Sequence, residues 1–181
     1  LNKVDLSGCT QLGGNLRLNN SPLIRDIDMT DTVITGINFP PSAKNLETLK
    51  IPETVKEISI RSAMILRNLE LPSSIEYLSL IDTPQLQTIT LTSCDNLKTL
   101  IMEKPAINPF IMISKTPNLE YVRLIDIKAH ATTEAVQKLL HVKGLDAAGN
   151  VVDAGQAVSG TITLTTCSAS LEAELKAIYP N

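Results

Sequence analysis

Tryptophan is absent from this 181-residue chain, and the other aromatics amount to two phenylalanines and three tyrosines. Leucine (25) and isoleucine (19) take their place, so the core must be aliphatic. An excess of positive charge is also missing: 16 Lys and Arg face 19 Asp and Glu, for a net charge of −3. That excludes the basic footprint of a nucleic-acid binder. Hydrophobic residues make up 43%, which argues against disorder. No apolar run approaches the roughly 18 residues of a membrane span. The chain begins at Leu1 with no secretory signal pattern and stops at Asn181, and both ends read as cuts in a longer polypeptide.

Catalytic and metal-binding patterns are equally scarce. The three cysteines, Cys9, Cys94 and Cys167, have no metal-ligand spacing, and their odd number gives no complete disulfide framework. All three are expected to be unpaired. His130 and His141 are the only histidines, and neither belongs to a metal-binding or nucleophile motif. Gly13-Gly14 is not followed by the Gly-Lys-Ser/Thr of a phosphate loop. Asp146, Gly149, Asn150 and Asp153 are turn residues without the spaced acidic ligands of a calcium loop. The carboxylates are scattered and form no acid–base couple. No enzyme activity, metal or cofactor is expected within this segment.

What the chain does have is a repeat. An aliphatic-x-aliphatic doublet recurs at Val4/Leu6, Leu16/Leu18, Ile27/Met29, Ile37/Phe39, Leu49/Ile51 and Ile58/Ile60. It continues at Leu69/Leu71, Leu78/Leu80, Ile89/Leu91, Leu100/Met102, Ile111/Ile113 and Val122/Leu124. Alternation over three residues marks a short strand with one buried face. Several doublets are followed three residues later by a small Cys or Thr and then by Leu, as in Cys9/Leu12, Thr83/Leu86, Cys94/Leu97 and Thr116/Leu119. The small side chain suits a tight turn, where a hydroxyl or thiol can reach backbone in an adjacent coil. Cys9 and Cys94 are therefore expected to be buried.

Successive doublets begin 9 to 12 residues apart, which is too little chain for a complete coil. Eleven residues span at most roughly 36 Å. Two packed walls stand about 10 Å apart, so the corners would consume most of that length. Two doublets per coil resolve the conflict. One column then starts at 4, 27, 49, 69, 89 and 111, and the other at 16, 37, 58, 78, 100 and 122. The fold class predicted is a mostly β repeat solenoid over residues 1–127. It would have about six coils of 20–23 residues, two short strands in each, and a core too thin for many large aromatics.

Leu46-Glu-Thr-Leu49-Lys-Ile51-Pro52-Glu-Thr-Val55-Lys-Glu-Ile58 resembles the BspA-like leucine-rich repeat. Leu66-Arg-Asn-Leu69-Glu-Leu71-Pro72-Ser-Ser-Ile75-Glu-Tyr-Leu78 repeats its frame, and Ser93-Cys94-Asp-Asn-Leu97-Lys-Thr-Leu100 resembles its cysteine-containing part. Ala63-Met64 stands where that family has Ala-Phe, and most coils here are shorter than the family's. The resemblance implies a leucine-rich-repeat protein of Bacteroides-type bacteria or their phages. It further implies a non-catalytic module at the cell surface or secreted, serving adhesion or protein–protein interaction. A phage virion (tail or baseplate) protein and a carbohydrate-binding module are the alternatives.

Residues 128–181 read as a small α/β unit, truncated at its end, that caps the open solenoid. A helix begins near Thr132-Thr133-Glu134 and ends at Lys143-Gly144. A hairpin turns around Gly149-Asn150, Ser159–Thr166 alternates as a strand, and a last helix runs from about Leu171 to Ile178.

The residues between and before the buried doublets should point to solvent. In the first column these include Asp5, Asp28, Lys50, Glu70, Thr90 and Met112, the last flanked by Phe110. In the second they are Arg17, Asn38, Ser59, Ser79, Ile101 and Arg123, preceded by Asn15, Gly36, Glu57, Tyr77, Thr99 and Tyr121. The early coils read as a solvated face, and the later ones turn apolar and aromatic. Tyr77, Ile101, Tyr121 and Arg123 form the candidate partner-binding patch, since Tyr and Arg are enriched at interface hot spots. The competing reading is that these rings only shield strand edges. For Phe110 and Met112 the alternative is burial against the C-terminal unit. The partner expected is a protein or host surface molecule.

Overall fold

A computed structural model describes residues 2–127, apart from 20, 42, 92, 93, 110, 111, 113–115 and 117, together with 162–165. The doublets become parallel strands on two walls. The first wall carries β1 (Lys3–Asp5), β3 (Asp26–Asp28) and β5 (Thr48–Lys50) as one sheet, and β7 (Asn68–Leu71) with β9 (Thr88–Leu91) as another. The second wall is a single seven-stranded sheet. It runs through β2 (Gly13–Arg17), β4 (Val33–Phe39), β6 (Glu57–Arg61), β8 (Tyr77–Ile81), β10 (Thr99–Glu103), β11 (Tyr121–Ile125) and β12 (Ile162–Thr165). The chain alternates between walls, so the molecule is a β-solenoid of about five turns.

Register follows the sequence repeat. Glu57 pairs with Tyr77, Tyr77 with Thr99 and Thr99 with Tyr121, so identical positions of successive coils stand one above another. The doublet residues of the long sheet point inward: Ile58, Ile60, Leu78, Leu80, Leu100, Met102, Val122 and Leu124 are all at most 1% exposed. Ile27, Met29, Leu49, Leu69 and Leu71 face them from the first wall, and Leu46, Leu66, Val55, Ile75 and Leu97 fill the ends of the section. Burial of each such side chain contributes about 1.5–3 kcal/mol. Phe39 is the one aromatic fully buried among the described residues.

The corners have two devices. The Cys/Thr-x-x-Leu spacing is a turn, in which the Leu N–H donates to the carbonyl three residues back, at Cys94/Leu97 (3.0 Å), Thr83/Leu86 (3.2 Å) and Thr116/Leu119 (3.3 Å). The strands β6, β8, β10 and β11 each end in a left-handed residue: Ser62 (φ 56°), Asp82 (φ 55°), Lys104 (φ 51°) and Asp126 (φ 57°). The first three keep their N–H on the carbonyls of Ile81, Glu103 and Ile125 in the next coil, so the ladder continues while the chain turns.

Several expectations need correction. Several side-chain bonds onto the backbone of a neighbouring coil come from the residue just before a buried aliphatic. Asn45, Asn96 and Asn118 donate to the carbonyls of Pro22, Ser73 and Asp95, and Thr54 and Ser74 donate to those of Ile34 and Val55. Thr32, which follows Met29 at the Cys/Thr spacing, donates inside its own turn to Met29 O at 2.8 Å. Cys94 is buried as expected, but Cys9 is exposed, because it lies in the first described coil with a neighbour on one side only. Val4, Leu6 and Leu16 are only half-buried for the same reason. Ser79 is buried (3% exposed) on the outer face, a short side chain between the larger Tyr77 and Ile81. The solenoid has about five turns rather than six; the strand expected at Ile111/Ile113 falls largely outside the described residues. Met112 is buried rather than outward, with helical rather than extended backbone, so the two-residue alternation of a strand does not apply to it. Phe110 lies outside the described residues.

Of the C-terminal unit, the strand read over 159–166 is observed as Ile162–Thr165, pairing with β11 from Val122/Ile162 to Ile125/Thr165. Its helices and hairpin lie outside the described residues, as do His130, His141, Asp146, Gly149, Asn150, Asp153 and Cys167.

Leu69 and Leu78 sit on opposite walls of one coil at 1% and 0% exposure. Leu69→Ala and Leu78→Ala should each cost about 2–5 kcal/mol in chemical denaturation. Amide exchange should show the loss spreading into the coils on either side. A variant that unfolds like the parent would refute the two-wall packing.

Candidate functional site

The outer surfaces of the two walls differ in kind. On the first wall, polar side chains bond to one another from coil to coil. Asp28 accepts from Lys50 Nζ (2.7 Å), Thr30 Oγ1 (2.6 Å) and Thr30 N (3.0 Å). Thr48 donates to Asp26, and Thr88 to Asn68 at 2.6 Å. The Lys50 ammonium holds the Asp28 carboxyl well below its ordinary 3.8, at about 2, and the Thr30 hydroxyl and N–H add to the effect. Asp5 is lowered mainly by the hydroxyl of Ser7. At the entry to the long sheet, Glu76, placed between Lys56 (3.0 Å) and Lys98 (3.7 Å), is lowered mainly by Lys56. These pairs are exposed to solvent screening and contribute little to stability.

The outer face of the long sheet carries three rows. Glu57, Tyr77, Thr99 and Tyr121 form one. Ser59, Ser79, Ile101 and Arg123 form the next, and Arg61, Ile81, Glu103 and Ile125 the third. The sequence-derived patch is thus brought together. Tyr77 and Tyr121 flank Thr99 in one row, about 10 Å apart at the usual strand spacing, and Ile101 lies beside Arg123 in the adjacent one. Tyr77, Ile101 and Tyr121 are half-buried and Arg123 is exposed. Ile81 and Ile125, half-buried in the third row, extend the patch. They lie just beyond the doublet, and the five-residue length of β8 and β11 is what turns them outward.

Towards the other end of the same face the surface is polar and dented. A depression of about 260 Å³ is lined by Asn15, Arg17, Asn38, Glu57, Ser59 and Tyr77 around Gly36. It exists because β2 and β4 change register between Gly14 and Asn15, leaving Thr35 as an extra residue on β4. Such a bulge re-aims the neighbouring side chain. Asn15 comes to lie over Gly36, where a Cβ would collide with Asn15 Oδ1. The early coils had read only as a solvated face; the signal was a glycine at 36 in a row otherwise filled with side chains.

Among the described residues no group of three or more His, Cys, Asp or Glu could hold a metal. No described helix is long and apolar enough to cross a membrane. No protein-family model, curated protein or solved structure matches the chain.

Two measurements check these local environments. Because Asp28 is held at about 2, its stabilisation is complete above the ordinary carboxylate value and is lost as pH falls through about 2. Asp28→Asn should therefore flatten the loss of stability between pH 4 and pH 2 relative to the parent, and parallel curves would show that Lys50 does not hold the carboxylate. Burial pushes the Cys94 thiol up to about 11, whereas Cys9 is exposed. A thiol reagent at pH 8 should label Cys9 in the folded chain and Cys94 only after unfolding, as read by peptide mapping. A Cys9–Cys94 disulfide, or equal labelling in the folded chain, would contradict the packing.

Proposed function

We propose that this chain is a non-catalytic binding module that presents the outer face of its long sheet to a protein partner. The observation that carries the reading is the row geometry. Tyr77, Tyr121, Ile101 and Arg123 lie in register on one rigid sheet, with Ile81 and Ile125 alongside. Parallel strands stacked over an aliphatic core form an extended surface that can engage a partner by shape. Two aromatic rings, three isoleucines and a guanidinium supply the anchor chemistry of interfaces, and their placement at coil spacing fixes them without further ordering cost.

The resemblance of Leu46–Ile58 and Leu66–Leu78 to the BspA-like repeat supports a place at the bacterial cell surface or in a secreted protein, acting in adhesion or protein–protein contact. No cofactor enters this reading.

The test is binding of the chain to a panel of immobilised extracellular proteins, measured by surface plasmon resonance with the parent and the double variant Tyr121→Ala with Arg123→Ala. Both side chains lie on the outer face, so the variant should melt like the parent. Its affinity for any protein the parent binds should fall by about 2 kcal/mol, or ~30-fold. Undiminished binding by the folded variant would remove the patch from the interface.

A further inference from the structure

The polar depression around Gly36 borders the aromatic patch, with which it shares Tyr77, and differs from the polar surface of the first wall. On the first wall, Asp26, Asp28, Thr48, Lys50, Asn68 and Thr88 are engaged with one another. In the depression the side chains of Arg17, Asn38, Glu57, Ser59 and Tyr77 have no hydrogen-bond or ion-pair partner among the described residues. Five side chains rich in donors and acceptors thus converge on one volume without satisfying each other.

Their spacing explains why. Arg17 on β2 and Glu57 on β6 are separated by β4 and stand two residues apart along the strands, so their backbones lie about 12 Å apart. Between them lie a glycine, an amide on each side and a hydroxyl, none charged. Formal charge cancels across the site, so it does not select an anion or a cation. The requirement is a neutral molecule with hydroxyls on its rim and one apolar face. Planar amide, carboxylate and guanidinium groups each bridge adjacent hydroxyls with paired hydrogen bonds. Tyr77, half-buried in the wall, offers a ring against which C–H groups can pack. A depression of about 260 Å³ holds one sugar ring and leaves its neighbours in solvent.

We propose that this depression is a binding subsite for a neutral pyranose residue of a glycan. Asn15 and Asn38 bridge hydroxyls from the floor, Arg17 and Glu57 close the two ends, and Tyr77 packs on the ring. Gly36 is a positioning residue, because its missing side chain lets the Asn15 amide lie across the floor. Since a Cβ at residue 36 meets only the far end of the flexible Asn15 side chain, Gly36→Ala should displace that amide without unfolding the sheet.

The experiment is a titration of the isotope-labelled chain with methyl pyranosides of the common neutral hexoses and their disaccharides, followed by amide chemical shifts. Glycine, alanine and inorganic phosphate serve as comparators. At least one neutral pyranoside should saturate below about 20 mM, with shifts centred on residues 15, 36, 38, 57 and 77. Gly36→Ala and Asn38→Ala should each weaken that titration by about tenfold or more, with unchanged melting. Tyr121→Ala with Arg123→Ala should leave it unaltered, so loss of the protein-binding patch and loss of the sugar site are told apart. Asn38→Ala removes an exposed side chain and keeps the test alive should Gly36→Ala fail to fold. Three results would overturn the proposal: no saturation by any neutral sugar, saturation that survives Asn38→Ala, or phosphate or an amino acid binding there in preference.

Discussion

Everything in this molecule depends on in-register parallel pairing between successive coils. A single coil has two strands of three to seven residues and a handful of inward aliphatics, which cannot bury themselves alone. Ile58 is fully buried because Ile37 and Leu78 stand on either side of it in the same sheet. A slip of one residue would turn every one of these side chains to solvent. Register is therefore fixed by the core, and the outer rows inherit it at no extra energetic cost. The outer face is ordered because the inner face cannot be otherwise.

That dependence explains which parts of the structure could be read from sequence. Alternation in the doublets and a 20–23-residue step are statements about burial, and they translate directly into the two walls. The positions of Tyr77, Thr99 and Tyr121 followed by counting. Features set by backbone geometry rather than burial left weaker marks. The left-handed corners are occupied by Ser62, Asp82, Lys104 and Asp126, with no glycine to announce them. The bonds from Asn45, Thr54, Ser74, Asn96 and Asn118 involve three residue types at one structural position, so no single letter repeats. The exposure of Cys9 goes with its coil having a described neighbour on one side only, which its local sequence does not encode. The depression at Gly36 needs a register change between two strands, and a regular repeat hides it.

The two walls show how one repeat yields two surfaces. Both present short polar or mixed residues outward. On the first wall, oppositely charged or complementary groups fall in the same row one coil apart, as with Asp28 and Lys50, and neutralise each other. On the long sheet the equivalent rows pair Glu57 with Tyr77 and Ile101 with Arg123, combinations that leave their polar groups unspent. A surface of the first kind adds modest stability and offers little to a partner. One of the second kind keeps its hydrogen-bonding and apolar capacity available, and the bulge at β4 gives it local relief.

The last strand adds a different kind of constraint. Every earlier pairing on the long sheet joins residues 20 to 22 apart, but β11 pairs with β12 across 40, from Val122 to Ile162. A segment far along the chain thus extends the same sheet. Pairing at such a distance carries a larger loop-closure cost than one coil does, though the cost grows only logarithmically with length. In exchange, β12 covers the N–H and C=O groups that β11 would otherwise present as an open edge. It also ties residues far along the chain to the end of the sheet nearest Tyr121 and Arg123. Order at that end of the outer face therefore rests on both neighbours of β11, on β10 before it and on β12 after it, and the patch is built where the sheet is held from two sides.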